Sequence, residues 1–126
     1  MKVVFDTFAW IEFFEGSKKG KVVNKYLNGN EVITSSIVLL ELSYKADKEG
    51  WNFKQILSFI NTNSEIIGIN EKFVLGFGRL YNKVKKKIRS ISMADIIIMH
   101  TTKLNEAKVL TGDKHFKGLK EAIMLK

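Results

Sequence analysis

The chain begins Lys2-Val3-Val4-Phe5-Asp6-Thr7-Phe8-Ala9-Trp10-Ile11-Glu12-Phe13-Phe14-Glu15, and two patterns meet at Asp6. Val3-Val4-Phe5 is an unbroken apolar run of the kind carried by a strand buried inside a sheet. From Thr7 the spacing changes: Phe8, Ile11 and Phe14 share one helical face, with Trp10 and Phe13 beside it. A strand that passes directly into a helix is the unit of an α/β fold. The carboxylate at the junction has two readings. Asp6 can cap the helix, or it can belong to a site at the end of the strand.

The same alternation continues along the chain. Gly16-Ser17 breaks the first helix, and a second runs over about 18–27 to the stop signal Asn28-Gly29. Further strands are expected over 31–34, 65–69, 107–110 and 122–125. A third helix runs from Ser35 or Ser36 to Glu49, stopped by Gly50, and Phe53, Ile56, Leu57 and Ile60 mark a fourth. Phe73, Phe77, Leu80, Tyr81, Val84 and Ile88 form the stripe of a long fifth helix, and a sixth starts at Ser92 and ends near Asn105. Five strands alternating with helices predict an α/β fold: a central, mostly parallel five-stranded sheet with helices on both faces. Such sheets bind ligands at the carboxyl ends of their strands.

Composition narrows the class. With 126 residues, 45% of them hydrophobic, the chain suits one packed domain over 1–126, and no linker, repeat or low-complexity tract divides it. The apolar runs are too short and too often broken by charge to span a membrane, and Asp6 interrupts the first before it forms a signal-peptide core. A soluble, cytoplasmic protein is expected. Cysteine is absent and only His100 and His115 are histidines, which removes disulfides and thiolate zinc sites and leaves little for a histidine-based nucleophile. A metal here would be held by oxygen, which favours magnesium or manganese.

Three further acids resemble Asp6 in their setting. Glu41 interrupts the apolar run Ile37-Val38-Leu39-Leu40-Glu41-Leu42, Asp95 leads Ile96-Ile97-Ile98-Met99, and Asp113 follows Val109-Leu110-Thr111-Gly112. Each has a local alternative: an ion pair with Lys45 for Glu41, the capping-box spacing Ser92-x-x-Asp95, and a plain turn at Asp113. A carboxylate beside buried surface is costly unless it is bonded, neutralised or metal-bound. One divalent-cation site accounts for all four together. The net charge of +8 then places a basic body around an acidic centre, an arrangement suited to a polyanion. Solubility is the plainer reading of those lysines.

The blocks Val3-Val4-Phe5-Asp6-Thr7, Ser36-Ile37-Val38-Leu39-Leu40-Glu41-Leu42, Ser92-Met93-Ala94-Asp95-Ile96 and Leu110-Thr111-Gly112-Asp113-Lys114-His115-Phe116 resemble, in order and spacing, the PIN-domain family. The likeness is closest to its small VapC-type ribonuclease toxins and runs through essentially the whole chain. It implies a three-layer α/β/α sandwich of PIN type. It also implies one or two magnesium or manganese ions held by Asp6, Glu41, Asp95 and Asp113, with Thr7 and Thr111 orienting an acid, a water or a phosphate. The activity implied is endoribonuclease hydrolysis of RNA by an activated water. The partners implied are an RNA substrate and a cognate antitoxin, and a homodimer is expected. Phe8 departs from the smaller residue commoner after the Asp-Thr pair.

Other classes fit less well. A response-regulator receiver needs a phosphoacceptor aspartate where Ile69-Asn70 stands, and a haloacid-dehalogenase-like phosphatase needs an aspartate at Phe8. A non-catalytic PIN-like module binding RNA or protein, and a housekeeping RNA-processing nuclease, remain as alternatives to the toxin. Lys85, Lys86, Lys87 and Arg89 read either as a guide for the RNA backbone or as the solvated end of a helix. Trp10, Phe13 and Phe14 carry more aromatic surface than one core face needs, and the excess offers a dimer contact or an antitoxin groove. His115 reads first as a loop residue, with substrate contact as its alternative, and His100 as a packing or surface residue.

Overall fold

All five strands run parallel in the computed structural model, which describes residues 1–126, in the order β3-β2-β1-β4-β5. They span Lys2–Phe5 (β1), Glu31–Ser35 (β2), Glu65–Ile67 (β3), Lys108–Thr111 (β4) and Ala122–Met124 (β5). Six helices connect them: Thr7–Glu15 (α1), Lys18–Gly29 (α2), Ser36–Glu49 (α3), Phe53–Asn63 (α4), Glu71–Lys87 (α5) and Met93–Leu104 (α6). The sheet is thus wholly parallel, with no antiparallel edge. Successive side chains of a strand point to opposite faces, and Val3, Val4 and Phe5 are all fully buried. Both faces of β1 are therefore covered, which explains its unbroken apolar run.

Helix starts follow the polar residues that precede them. Asp6, Ser17, Ser35, Asn52, Asn70 and Ser92 each accept a backbone N–H from the first turn of α1 to α6 in turn. These bonds satisfy amides that have no partner inside the helix. α2 lies close across α1 at Gly20, where a β-carbon would collide with the Glu12 carbonyl. Only glycine permits that approach.

β3 stops at Ile67, two residues short of the expected Ile69. It is an edge strand whose last partner, Ser35, is also the last residue of β2, so the ladder has nothing further to pair with. α5 packs on the outside against α6: of its stripe only Phe73 is buried, the rest being half-covered. His100 fastens the two helices, its Nε2 donating to the Phe73 carbonyl at 2.9 Å with the ring edge-on to Phe73. It is a core residue. The aromatic surplus of α1 is largely internal as well. Trp10 is buried against Phe5, Phe13 and Phe14 and reaches Phe59 of α4, while its indole N–H donates to Thr34 at 3.1 Å.

The chain leaves β1 toward β2 on one side and returns from β3 to β4 on the other. The carboxyl ends of β1 and β4 are thus neighbours at the point where the strand order reverses. Open α/β sheets present their binding crevice at this place.

Candidate functional site

Asp6 follows the last residue of β1 and is almost fully buried, with 4% of its surface exposed. Its Oδ1 accepts the Ala9 N–H at 2.8 Å, so the capping role is real. That role does not exclude a second. Burial raises its pKa to about 7; the Thr111 hydroxyl and the Ala9 amide pull it down, and the charges of Asp113 and Asp95 push it up. A cap alone would leave a carboxylate ionised at ordinary pH. Here like charges and a dry setting favour the protonated form.

Glu41 projects from the middle of α3 and accepts a hydrogen bond from the Thr7 hydroxyl at 2.5 Å. It makes no ion pair with Lys45. Asp95 stands in the first turn of α6, where its N–H donates to the Ser92 hydroxyl at 3.1 Å. Burial and the Asp113 charge raise its pKa, against the Ser92 hydrogen bonds and the His115 ring. Asp113 lies two residues beyond β4 and donates its N–H to Thr111 Oγ1 at 2.9 Å. One of its oxygens accepts both the N–H and the ring Nδ1 of His115, each at 2.9 Å.

These elements bring Asp6, Thr7, Phe8, Glu41, Asp95, Ile98 and Asp113 to the wall of one cavity of about 250 Å³. All four acids singled out in the sequence line it, as does Thr7. Thr111 does not reach the cavity. It is buried behind it, between Asp6 and the Asp113 amide. No lysine or arginine lies within 4.0 Å of any of the four acids. Carboxylates gathered without a lysine or arginine partner fit a hard divalent ion, and an oxygen donor set suits magnesium or manganese. Phe8 forms part of the wall because its ring lies over Gly112, where any β-carbon would strike it. Lys19 stands 5.3 Å from the ring centroid.

His115 is the residue whose place the sequence understates. Its Nδ1 is 2.9 Å from Asp113 Oδ1 and 3.8 Å from Asp95 Oδ2, and its Nε2 lies 3.0 Å from the Ser90 hydroxyl. Asp95, Asp113 and His115 place one ligand atom each within 4.8 Å of one another. A signal is present in Asp113-Lys114-His115, since a spacing of two lets an aspartate bind both the amide and the side chain of the later residue. The basic run also divides. Lys85 donates to the carbonyls of Arg89 at 3.0 Å and Ile91 at 2.6 Å, closing the turn between α5 and α6. It is a structural residue.

The chain is similar to proteins that can be named. Over 121 residues it is 27% identical to Ribonuclease VapC1 of Methanocaldococcus jannaschii, covering 95% of this chain and 82% of that protein. Its fold is similar to VapBC2 from Rickettsia felis, solved bound to a promoter DNA fragment, with a TM-score of 0.76 and 22% identity across 98% of this chain and 97% of that one. A toxin–antitoxin complex from Klebsiella pneumoniae matches with a TM-score of 0.77 and 19% identity, covering 98% of each chain. No helix is long and apolar enough to cross a membrane. The family model of the PIN domain matches residues 3–122, a stretch that runs from β1 into β5 and contains every acid of the cavity. The chain belongs to the PIN-domain family.

Proposed function

We propose that the protein is a metal-dependent endoribonuclease, the toxin of a toxin–antitoxin pair, acting as one domain over residues 1–126. The observation that carries this reading is the cavity itself: four carboxylates from four separate elements, with no lysine or arginine to balance them. Asp6, Glu41, Asp95 and Asp113 hold magnesium or manganese. When bound, the ion supplies acidity to a coordinated water and positive charge to the scissile phosphate. The likeness to Ribonuclease VapC1 supports RNA as the substrate.

The chain's own residues supply the positioning. Thr7 holds Glu41 by its hydroxyl and leaves the other carboxylate oxygen free. Thr111 fixes the Asp113 backbone, and His115 fixes the Asp113 side chain. Phe8 and Ile98 supply the apolar part of the cavity wall. No covalent nucleophile is required.

An antitoxin segment is assigned to the open groove between α1 and α4, about 590 Å³, where Phe14, Trp51 and Phe59 remain partly accessible over the buried Ile56. The similarity to the Klebsiella pneumoniae toxin–antitoxin complex supports such a partner. A homodimer is assigned to the apolar surface of α5 and α6, where Val74 and Met93 are exposed beside Phe77 and Ile97. Contiguous exposed apolar surface of this kind marks an interface.

The test is incubation of the purified protein with total RNA, with and without magnesium or manganese. RNA should be cut only with the metal, and Asp6→Asn should lower the rate by about two to three orders of magnitude, as loss of a key electrostatic group does. Cleavage at the wild-type rate by the Asp6→Asn protein would overturn the mechanism.

A further inference from the structure

Beside the acid cavity lies a larger cleft of about 430 Å³, bounded by α5, α6 and the segment between β4 and β5. His115 lines it, and through its contacts with Asp113 and Asp95 links it to the acids. Two rows along α5 and its C-cap form one side. Leu80, Val84 and Ile88, four residues apart, make an aliphatic floor that is half-buried, and Lys83 and Lys87 make a cationic row beside it. Lys117 adds a third cation from the opposite edge. A fourth, Lys103, is occupied by Glu121 at 3.1 Å. The other three have no carboxylate within 4.0 Å, and no acid lines the cleft.

Lys83 and Lys87 stand at a spacing where like charges repel. Together with Lys117 they surround apolar surface, so what they match is a ligand with an anionic part and a flat apolar part. The volume falls within the range of small-ligand sites. We infer that this cleft is a nucleotide subsite for single-stranded RNA, holding the nucleotide that flanks the one seated at the acid cavity. Its base lies on Leu80, Val84 and Ile88, and its phosphate lies among Lys83, Lys87 and Lys117. The inference rests on the nuclease reading for its substrate class and deepens it. An acidic peptide would satisfy the lysines, but it has no cause to extend toward His115 and the acids. A strand whose next phosphate is in the acid cavity must.

The experiment measures binding of a fluorescein-labelled single-stranded 12-nucleotide RNA to the full chain in EDTA, so that cleavage does not intervene. The K83Q/K87Q/K117Q protein is compared with K18Q/K21Q/K25Q, in which three exposed lysines of α2 are neutralised instead. Thermal melting verifies that both variants fold. The cleft variant should bind about ten-fold or more weakly. Its slope of log affinity against log salt should fall by about 2, because three lysines no longer neutralise phosphates of a single strand. The α2 variant should stay within two-fold of wild type. A second arm replaces the floor with L80S/V84S, which should weaken binding of the normal oligomer and leave an abasic oligomer unaffected.

Equal losses in the two lysine variants would reduce the effect to overall charge and overturn the subsite. Unchanged RNA binding, with cleft-dependent capture of polyglutamate, would overturn it in favour of a protein site. The nuclease reading fails separately. If wild-type protein binds RNA through the cleft but cuts none with metal, the subsite stands and catalysis falls; if it cuts RNA and the cleft variant binds normally, the reverse holds.

Discussion

The acid cavity and the lysine cleft meet at His115 and carry opposite charge. They differ in how that charge is housed. The cavity takes in Asp6 almost fully buried and Asp95 partly so, and burial together with neighbouring carboxylates raises the pKa of both. The cleft keeps Lys83, Lys87 and Lys117 exposed at its rim over an apolar floor. The cavity therefore stores unfavourable energy that a metal would release, whereas the cleft costs the fold little. A polyanion approaching the cleft is attracted, and the same polyanion at the cavity is repelled until a cation is present. Burial, more than the number of charges, separates a site suited to a metal ion from one suited to a polyanion.

The largest effect is expected from the buried acid. Asp6 rises from an ordinary 3.8 to about 7 in the folded protein. In the unfolded chain it ionises near the ordinary value, so between those limits the folded state alone keeps the proton. Metal-free protein should lose stability as pH climbs through that window, and the loss should level off above about pH 7. Its upper bound is roughly 4 kcal/mol, at 1.36 kcal/mol per pKa unit. Asparagine can still cap α1 but has no charge to bury. In EDTA at about pH 7.5, Asp6→Asn should therefore melt several degrees above wild type, with a flatter pH profile. A variant that melts lower would break the claim that the cavity is strained by its own charge.

The next effect lies in the cavity wall. Gly112→Ala drives a methyl group into the Phe8 ring, at a cost of about 1–3 kcal/mol by overpacking. Adding Phe8→Ala should recover part of that loss, because the two positions are in contact. Denaturant melts of both singles and the double test this, and strictly additive losses would dissociate the wall from the glycine.

Thr7→Val removes the hydroxyl that holds Glu41. A hydrogen bond to a charged acceptor is worth about 1.5–3 kcal/mol, so kcat should fall about ten-fold or more, with KM little changed. A KM effect alone would move Thr7 from positioning the acid to binding the strand. The smallest effect separates two adjacent parts of the basic run. Lys85→Met should cost about 1 kcal/mol of stability, through the two carbonyls it caps, and leave RNA affinity within two-fold. Lys87→Met should do the opposite.

Much of the fold is written in local pattern. Val3-Val4-Phe5 announces a strand covered on both faces, and Asp6, Ser35 and Ser92 stand where their helices start. Glu41 is legible because an acid in the middle of an apolar helical run has no capping role to explain it. Other residues are opaque for physical reasons. Lys85 belongs by composition with its neighbours, and only the path of the turn after α5 sets it apart from them. The aromatic surplus of α1 cannot be assigned inward from sequence, because its main partner, Phe59, lies on α4, far along the chain. His115 is hidden in the same way, since its contact with Asp95 joins two separate segments.

By itself, then, the amino-acid sequence determined the order of strands and helices, the caps at Asp6, Ser35 and Ser92, and which four acids are out of place beside apolar surface. These follow from hydrophobic period and short-range hydrogen bonding, which act within a few residues. Tertiary structure decided that β1 and β4 lie side by side, that the four acids line one cavity rather than serving four separate local roles, and that His115 borders a second hollow of opposite charge. Those outcomes depend on how the faces of distant elements pack. Electrostatic energy depends on separation and burial in space, neither of which can be read from distance along the chain.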